Sequence, residues 1–222
     1  MGIELLWPSV ADSSLRTSVH AVLHDVVAAG GAIGWQVPPS RAETDAWLDV
    51  VMTRVASGDG ALVVAVVDGV VRGTATWLRN PSAVFTHSAE VGRVTAHPSA
   101  RGLGLGRLLV SAIVSHARSA GLEMLTLGVR GNNHGAIELY ESLGFREWGR
   151  LPYAIAVGDV RFDDVRMALP LGFPEGVVLH GSAAGGNGSS PRRTRTDYND
   201  GPDRAGRSGP SGWQLKGSGT RA

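Results

Sequence analysis

The sequence predicts one α/β domain built on a mixed central sheet. Three observations carry this expectation. Helical and strand-like hydrophobic periods alternate along positions 1–170 in the order β-α-α-β-β-β-α-β-α-β-β. Two short turns, Asp68-Gly69 and Gly158-Asp159, each join two apolar runs as an antiparallel pair. A glycine-rich turn, Arg101-Gly102-Leu103-Gly104-Leu105-Gly106, lies directly between a strand and a strongly amphipathic helix.

Each element follows from its local pattern. Ile3–Leu6 reads as a short strand. Ser13–Ala28 repeats Leu15, Val19, Leu23, Val26 and Val27 at helical spacing, and Gly30-Gly31 stops it. Positions 33–40 form a loop holding Trp35, Gln36, Pro38 and Pro39. Positions 41–57 make a second helix with Trp47, Leu48, Val51, Met52 and Val55 on one stripe. The uninterrupted apolar run 61–67 has strand length and reads as a strand buried on both faces. The chain turns at Asp68-Gly69, where both residue types tolerate positive φ, and returns over 70–78 until Asn80-Pro81 ends the strand. Ser88–Ala96 is the next strand, closed by Pro98. Leu105, Leu108, Leu109, Ala112, Ile113 and Ala117 line one face of a helix ending at Gly121. A strand over 124–129, a helix over 134–143 closed by Gly144, and the pair 145–157 and 160–169 complete the order.

Composition narrows the chemistry. Apolar residues make up 43% and charged residues 18%, as in a globular chain, and the net charge of +1 gives no general attraction to nucleic acid or membrane. No apolar run approaches membrane-spanning length, and positions 1–7 lack the pattern of a signal peptide, so the expected compartment is the cytoplasm. Cysteine is absent, which excludes disulfides, thiolate metal sites and a cysteine nucleophile. Lys216 is the only lysine among 21 basic residues. Positions 1–173 form the expected domain, and 174–222, rich in Gly, Ser and Arg with few large apolar residues, form an expected disordered tail. His20 and His24 have the spacing of paired metal ligands but no third ligand accompanies them, so no metal site is expected.

In the glycine-rich turn, alternate glycines let the backbone approach a ligand, and the following helix adds free amides and the positive end of its dipole. A pyrophosphate fits such a place, with Arg101 and Arg107 as counter-charges. The dinucleotide-binding pattern puts its glycines after the first strand, and the kinase-type phosphate loop needs Gly-Lys-Ser/Thr, so neither applies.

Positions 101–106 fit Arg/Gln-x-x-Gly-x-Gly/Ala, the signature of the GCN5-related N-acetyltransferase (GNAT) superfamily, which the chain resembles. Asn133, Ala136-Ile137, Leu139-Tyr140-Glu141 and Leu143-Gly144-Phe145 resemble that family's closing motif, and 91–98 resembles its fourth strand. The resemblance implies a single-domain GNAT fold: a mixed, mostly antiparallel sheet splayed between its fourth and fifth strands and flanked by helices. It implies acetyl-CoA as donor co-substrate, with the backbone of Val94, Thr95 and Ala96 on the pantetheine arm. The pyrophosphate would lie on Arg101, Gly102, Leu103, Gly104, Leu105, Gly106 and Arg107, and Asn133 would contact coenzyme A or cap the next helix. Tyr140 matches the family's general acid, and Glu90, four residues before Val94, matches the base of its histone-acetylating branch. Desolvation in a sheet-lined cleft would raise the pKa of Glu90. His97 is an alternative base. Gly128 stands where the ribosomal-protein branch has a glutamate, which separates this chain from that branch.

The family's acceptor sites place Trp35, Gln36, Phe85 and Tyr153 around the amine. Gly34-Trp35 with Pro38-Pro39, and Leu151 to Ala154 with Gly158-Asp159, are faintly similar to tabtoxin-resistance-type acetyltransferases, which act on an amino-acid-like toxin. Three functions stay open on these residues. The first is an N-acetyltransferase for a primary amine of a small molecule, acting by direct attack in a ternary complex. The others are a protein or peptide N-acetyltransferase and a non-catalytic acyl-CoA-binding module. The resemblance also admits a homodimer, and it brings no nucleic-acid or membrane partner.

Overall fold

The structure, a computed structural model, describes residues 2–179. Its elements are β1 (Ile3–Leu6), α1 (Ser13–Ala28), α2 (Arg41–Ala56), β2 (Gly60–Val67), β3 (Val70–Arg79), β4 (Ser88–Ala96), α3 (Leu105–Ser119), β5 (Met124–Arg130), α4 (His134–Ser142), β6 (Arg146–Val157) and β7 (Val160–Pro170). This is the predicted order. All seven strands join one sheet, β1-β2-β3-β4-β5-β7-β6, antiparallel throughout except for the parallel β4–β5 pair. Several predicted boundaries move by one residue, among them that of β6, which starts after Phe145, whose amide closes α4 by bonding to the Tyr140 carbonyl and whose ring is buried. Most of the tail expected at 174–222 lies outside the described residues. Among those residues no helix is long and apolar enough to cross a membrane.

β2 explains why its sequence is apolar without alternation. Val63 and Ala65 pack on one face of the sheet with Leu105, Leu109 and Ile113 of α3. Leu62 and Val64 pack on the other with Val19 and Leu23 of α1 and Leu48 and Val51 of α2. Both faces being covered, every second residue has a core to enter, and each large side chain so buried contributes roughly 1.5–3 kcal/mol. The helices on the second face start at side-chain caps. Asp12 accepts from the Leu15 amide at 2.7 Å, and Ser40 and Glu43 form a reciprocal capping box at the head of α2.

Two departures from a regular sheet place the site. β4 and β5 pair only at Ser88 with Met124, Ala89 with Leu125 and Glu90 with Thr126, and then part. Further along β4 the register against β3 slips, because Thr74 faces Thr95 while Thr76 faces Gly92. The extra residue makes a bulge, with Arg93 at φ 46°. Hydroxyls of β3 hold the bulge from beneath: Thr74 Oγ1 donates to the Arg93 carbonyl at 2.9 Å and Thr76 Oγ1 to the Gly92 carbonyl at 3.0 Å.

Candidate active site

A cleft of about 590 Å3 opens where β4 and β5 part. Eight of the residues singled out in the sequence line it: Glu90, Val94, Thr95 and Ala96 from β4, Asn133 and Tyr140 from α4, and Trp35 and Gln36 from the loop between α1 and α2. The strands bring together residues more than a hundred positions apart because β4 leaves β5 beside the start of α4. Phe85 and Tyr153 stand apart from the cleft lining. Phe85 is in a short exposed turn after β3, and Tyr153 sits at an irregular point of β6 with φ 58° and its ring exposed.

Tyr140 is buried and packs edge-on against Phe145, with ring centroids 5.8 Å apart. Burial pushes its phenol up to about 12, so it holds its proton throughout the neutral range. Asn133 does cap α4, its side chain accepting from the Ala136 amide at 3.4 Å, and it lines the cleft as well. Glu90 departs from expectation in its surroundings. Its side chain is 61% exposed, and Arg166 Nη1 donates to its Oε1 at 3.5 Å. His97 is tied down elsewhere: its Nδ1 accepts from the Ser99 amide and its Nε2 lies 3.1 Å from Asp25 Oδ2.

The glycine-rich turn lies outside this lining and at the head of α3. Gly102 and Gly104 have φ of 82° and 70°, a region that costs a side-chain-bearing residue strain. Gly104 is the N-cap and has no side chain to offer, so the amides of the first turn face outward uncapped. Arg101 is exposed, while Arg107 Nη2 donates to Ser142 Oγ at 2.8 Å and ties the turn to α4.

Sequence reasoning missed four residues of this region. Gly128 pairs with Arg166 across β5 and β7, and a Cβ at 128 would stand 3.2 Å from Asp164 Oδ1. The missing side chain thus makes room for a carboxylate from the neighbouring strand, and Arg166 Nε binds that carboxylate at 2.8 Å. The signal lay in the cross-strand register, which one strand alone does not carry. Arg93 and Trp47 are the other two. The bulge sets the Arg93 guanidinium 4.2 Å from the Trp35 ring centroid and 5.8 Å from that of Trp47. Among the described residues, His20 bonds to Thr44 and His24 to Asp25, and no three His, Asp or Glu gather as a metal site.

Comparison with known proteins agrees with this architecture. The family model described as acetyltransferase (GNAT) family matches residues 19–145. Over 135 residues the chain is 32% identical to L-methionine sulfoximine/L-methionine sulfone acetyltransferase of Pseudomonas aeruginosa, covering 60% of this chain and 75% of that one. Over 59 residues it is 49% identical to mycothiol acetyltransferase of Thermobispora bispora, covering 27% of this chain and 20% of that one. The chain thus spans about a fifth of the mycothiol acetyltransferases it matches. In fold it is similar to a phosphinothricin acetyltransferase of Sinorhizobium meliloti solved in complex with AcCoA, with a TM-score of 0.68 and 22% identity, covering 83% of this chain and 96% of that one.

Proposed function

Because the chain belongs to the acetyltransferase (GNAT) family, we propose that it moves an acetyl group from acetyl-CoA to the primary amine of a small molecule. The observation that carries this reading is the convergence of Glu90 and Tyr140 on one cleft beside the unpaired edge of β4. The residues present fit the donor. The β4 edge from 91 to 96 leaves backbone groups free for an extended pantetheine arm, and the uncapped head of α3 suits a pyrophosphate. The donor supplies an activated acyl carbon, and the chain's own groups do the rest.

In this reading Glu90 takes a proton from the acceptor ammonium, which frees the nitrogen lone pair for attack on the acyl carbon. The exposure of Glu90 gives that proton a path to water. An amide of the bulged segment, at Val94 or Thr95, donates to the developing oxyanion. As the carbon–sulfur bond breaks, Tyr140 gives its proton to the sulfur and regains one from solvent. The nitrogen sheds its remaining excess proton, leaving a neutral amide. The absence of cysteine supports direct attack without an acyl-cysteine stage.

The cleft lining holds Arg93, Arg130 and Arg166 against Glu90 and Asp164, a balance that does not favour a basic peptide as acceptor. The presence of both Glu90 and Tyr140 in it argues against a silent binding module. The test is acetyl-CoA-dependent thiol release over a panel of small amines, amino acids and N-terminal peptides. The chain has no cysteine, so every thiol detected is coenzyme A. Release with small amines, reduced about 100-fold in kcat by Glu90→Gln, is the expected result. Release with peptides alone overturns the small-molecule assignment. Silence across the panel with acetyl-CoA bound overturns the enzymatic one.

A further inference from the structure

Among the described residues, the cleft contains one arginine with a buried N–H that nothing answers. Arg130 Nε donates to Asn132 at 2.8 Å, and Arg166 is held by Asp164 and Glu90. Arg93 has no carboxylate within ion-pair distance among the described residues, and its Nε is buried with no hydrogen-bond partner. An orphaned buried donor costs about 1–3 kcal/mol, and more on a charged group. Burial without a counter-charge also draws the guanidinium pKa down.

The surroundings hold this arginine in place without satisfying it. Its Cζ lies over the Trp35 ring and near that of Trp47, and those two rings meet edge to face at 6.5 Å. Gly34, at φ 94°, leaves space that Arg93 fills, since a Cβ there would stand 2.5 Å from Arg93 Nη1. The β4 bulge, held by Thr74 and Thr76, fixes the backbone from which the side chain departs. Stacking on an aromatic face occupies the flat side of a guanidinium and leaves its N–H edge for a planar anion.

A second cleft of about 510 Å3 shares Glu90 and Arg93 with the first, so Arg93 forms part of the wall between the two. Glu90 and Arg93 are three positions apart on one strand and carry opposite charges. That pairing complements a molecule bearing an ammonium and a carboxylate a few bonds apart.

We propose that Arg93 is the receptor for a carboxylate on the acceptor, so that the protein acetylates amino acids or amino-acid-like amines rather than simple amines. This rests on the small-molecule N-acetyltransferase reading above. The carboxylate takes the free N–H edge of Arg93, Trp35 covers the site, and the amino group is directed to Glu90.

The experiment compares matched acceptors that differ only at the carboxylate. A set of L-amino acids, their carboxamides and their decarboxylated amines is assayed by thiol release with the wild-type chain, Arg93→Lys and Arg93→Gln. The wild type is expected to prefer the carboxylate over the carboxamide by about 10- to 100-fold in kcat/KM, since a charge-assisted bidentate contact is lost. Arg93→Gln is expected to erase that preference, chiefly through KM for the amino acid, while its affinity for acetyl-CoA stays within about twofold. Arg93→Lys is expected to keep part of the preference, because the charge remains and the planar fork does not. A structural brace would lower activity on every acceptor alike and leave the ratio untouched. Equal wild-type use of amino acid and carboxamide overturns this inference while leaving the N-acetyltransferase reading standing. That wild-type arm decides the matter even if neither variant folds. No release with any amine, with acetyl-CoA bound, overturns the enzymatic reading and this inference with it.

Discussion

Tyr140 sits between a packed interior and a cleft, and the two environments set its chemistry. Its ring is held against Phe145, which fixes where the hydroxyl stands. Burial makes the phenolate costly and lifts the pKa to about 12, so the proton is present at every pH at which the enzyme would work. Removing the hydroxyl alone is therefore expected to lower kcat about 100-fold in Tyr140→Phe, with the affinity for acetyl-CoA unchanged. An undiminished kcat would assign the sulfur's proton to water. The same pKa has a consequence for stability. The folded pKa lies above the usual tyrosine value near 10, so the folded state keeps a proton that the unfolded chain releases. Tyr140's contribution is whole below about pH 10 and is lost as pH rises toward 12, at about 1.4 kcal/mol per pH unit. Denaturant unfolding at pH 9 and pH 11 should show a steeper loss for the wild type than for Tyr140→Phe.

The β4 bulge is the element on which the site turns. A regular β4 would keep alternating its side chains, and Arg93 would not leave the strand where it does. The bulge places a non-glycine residue at φ 46°, which costs about 1–3 kcal/mol and must be held by its neighbours. Thr74 is the main support, since its buried hydroxyl bonds to the Arg93 carbonyl and to Thr95 Oγ1, each at 2.9 Å. Thr74→Val keeps the shape and removes that support. It is expected to lose about 1–3 kcal/mol in urea unfolding with an unchanged m-value. It should also weaken the preference for carboxylate acceptors, because Arg93 departs from the loosened segment. A loss below about 0.5 kcal/mol would mean that the bulge is held by the sheet register alone. The β3 sequence Gly73-Thr74-Ala75-Thr76 alternates small and hydroxyl residues, which fits a strand but does not announce a bulge in its neighbour.

At the scale of the whole molecule, what was legible in the sequence was local and what was missed was relational. Helix and strand periods, the two turns and the glycine-rich turn each lie within a short stretch, and so did the element order and the residues of the cleft drawn from single motifs. Arg93, Asp164 and Arg166 gain their meaning from register: Arg93 from a slip against β3, the other two from standing opposite Gly128. Phe85 and Tyr153 were assigned by their place in the order, and neither lines the cleft, although Ile155, two residues after Tyr153 on β6, does. The parted β4 edge is where the two halves of the sheet meet least. β5, β7 and β6 join the rest of the sheet through only three residue pairs of β4 and β5. A donor lying along that edge and over the head of α3 would bridge strands that the fold leaves unpaired. Binding to the folded state alone at 100 times Kd contributes about 2.7 kcal/mol. For a domain of this size that is a rise in Tm of about 5–10 °C, read by thermal scanning with acetyl-CoA. Gly104→Val, which puts a β-branched side chain at φ 70° on the outward amides, is expected to lose most of the ligand-induced rise whatever its own starting Tm. A wild type with no rise sinks the donor assignment. A full rise in Gly104→Val moves the pyrophosphate away from the head of α3 and leaves the β4 edge to account for binding.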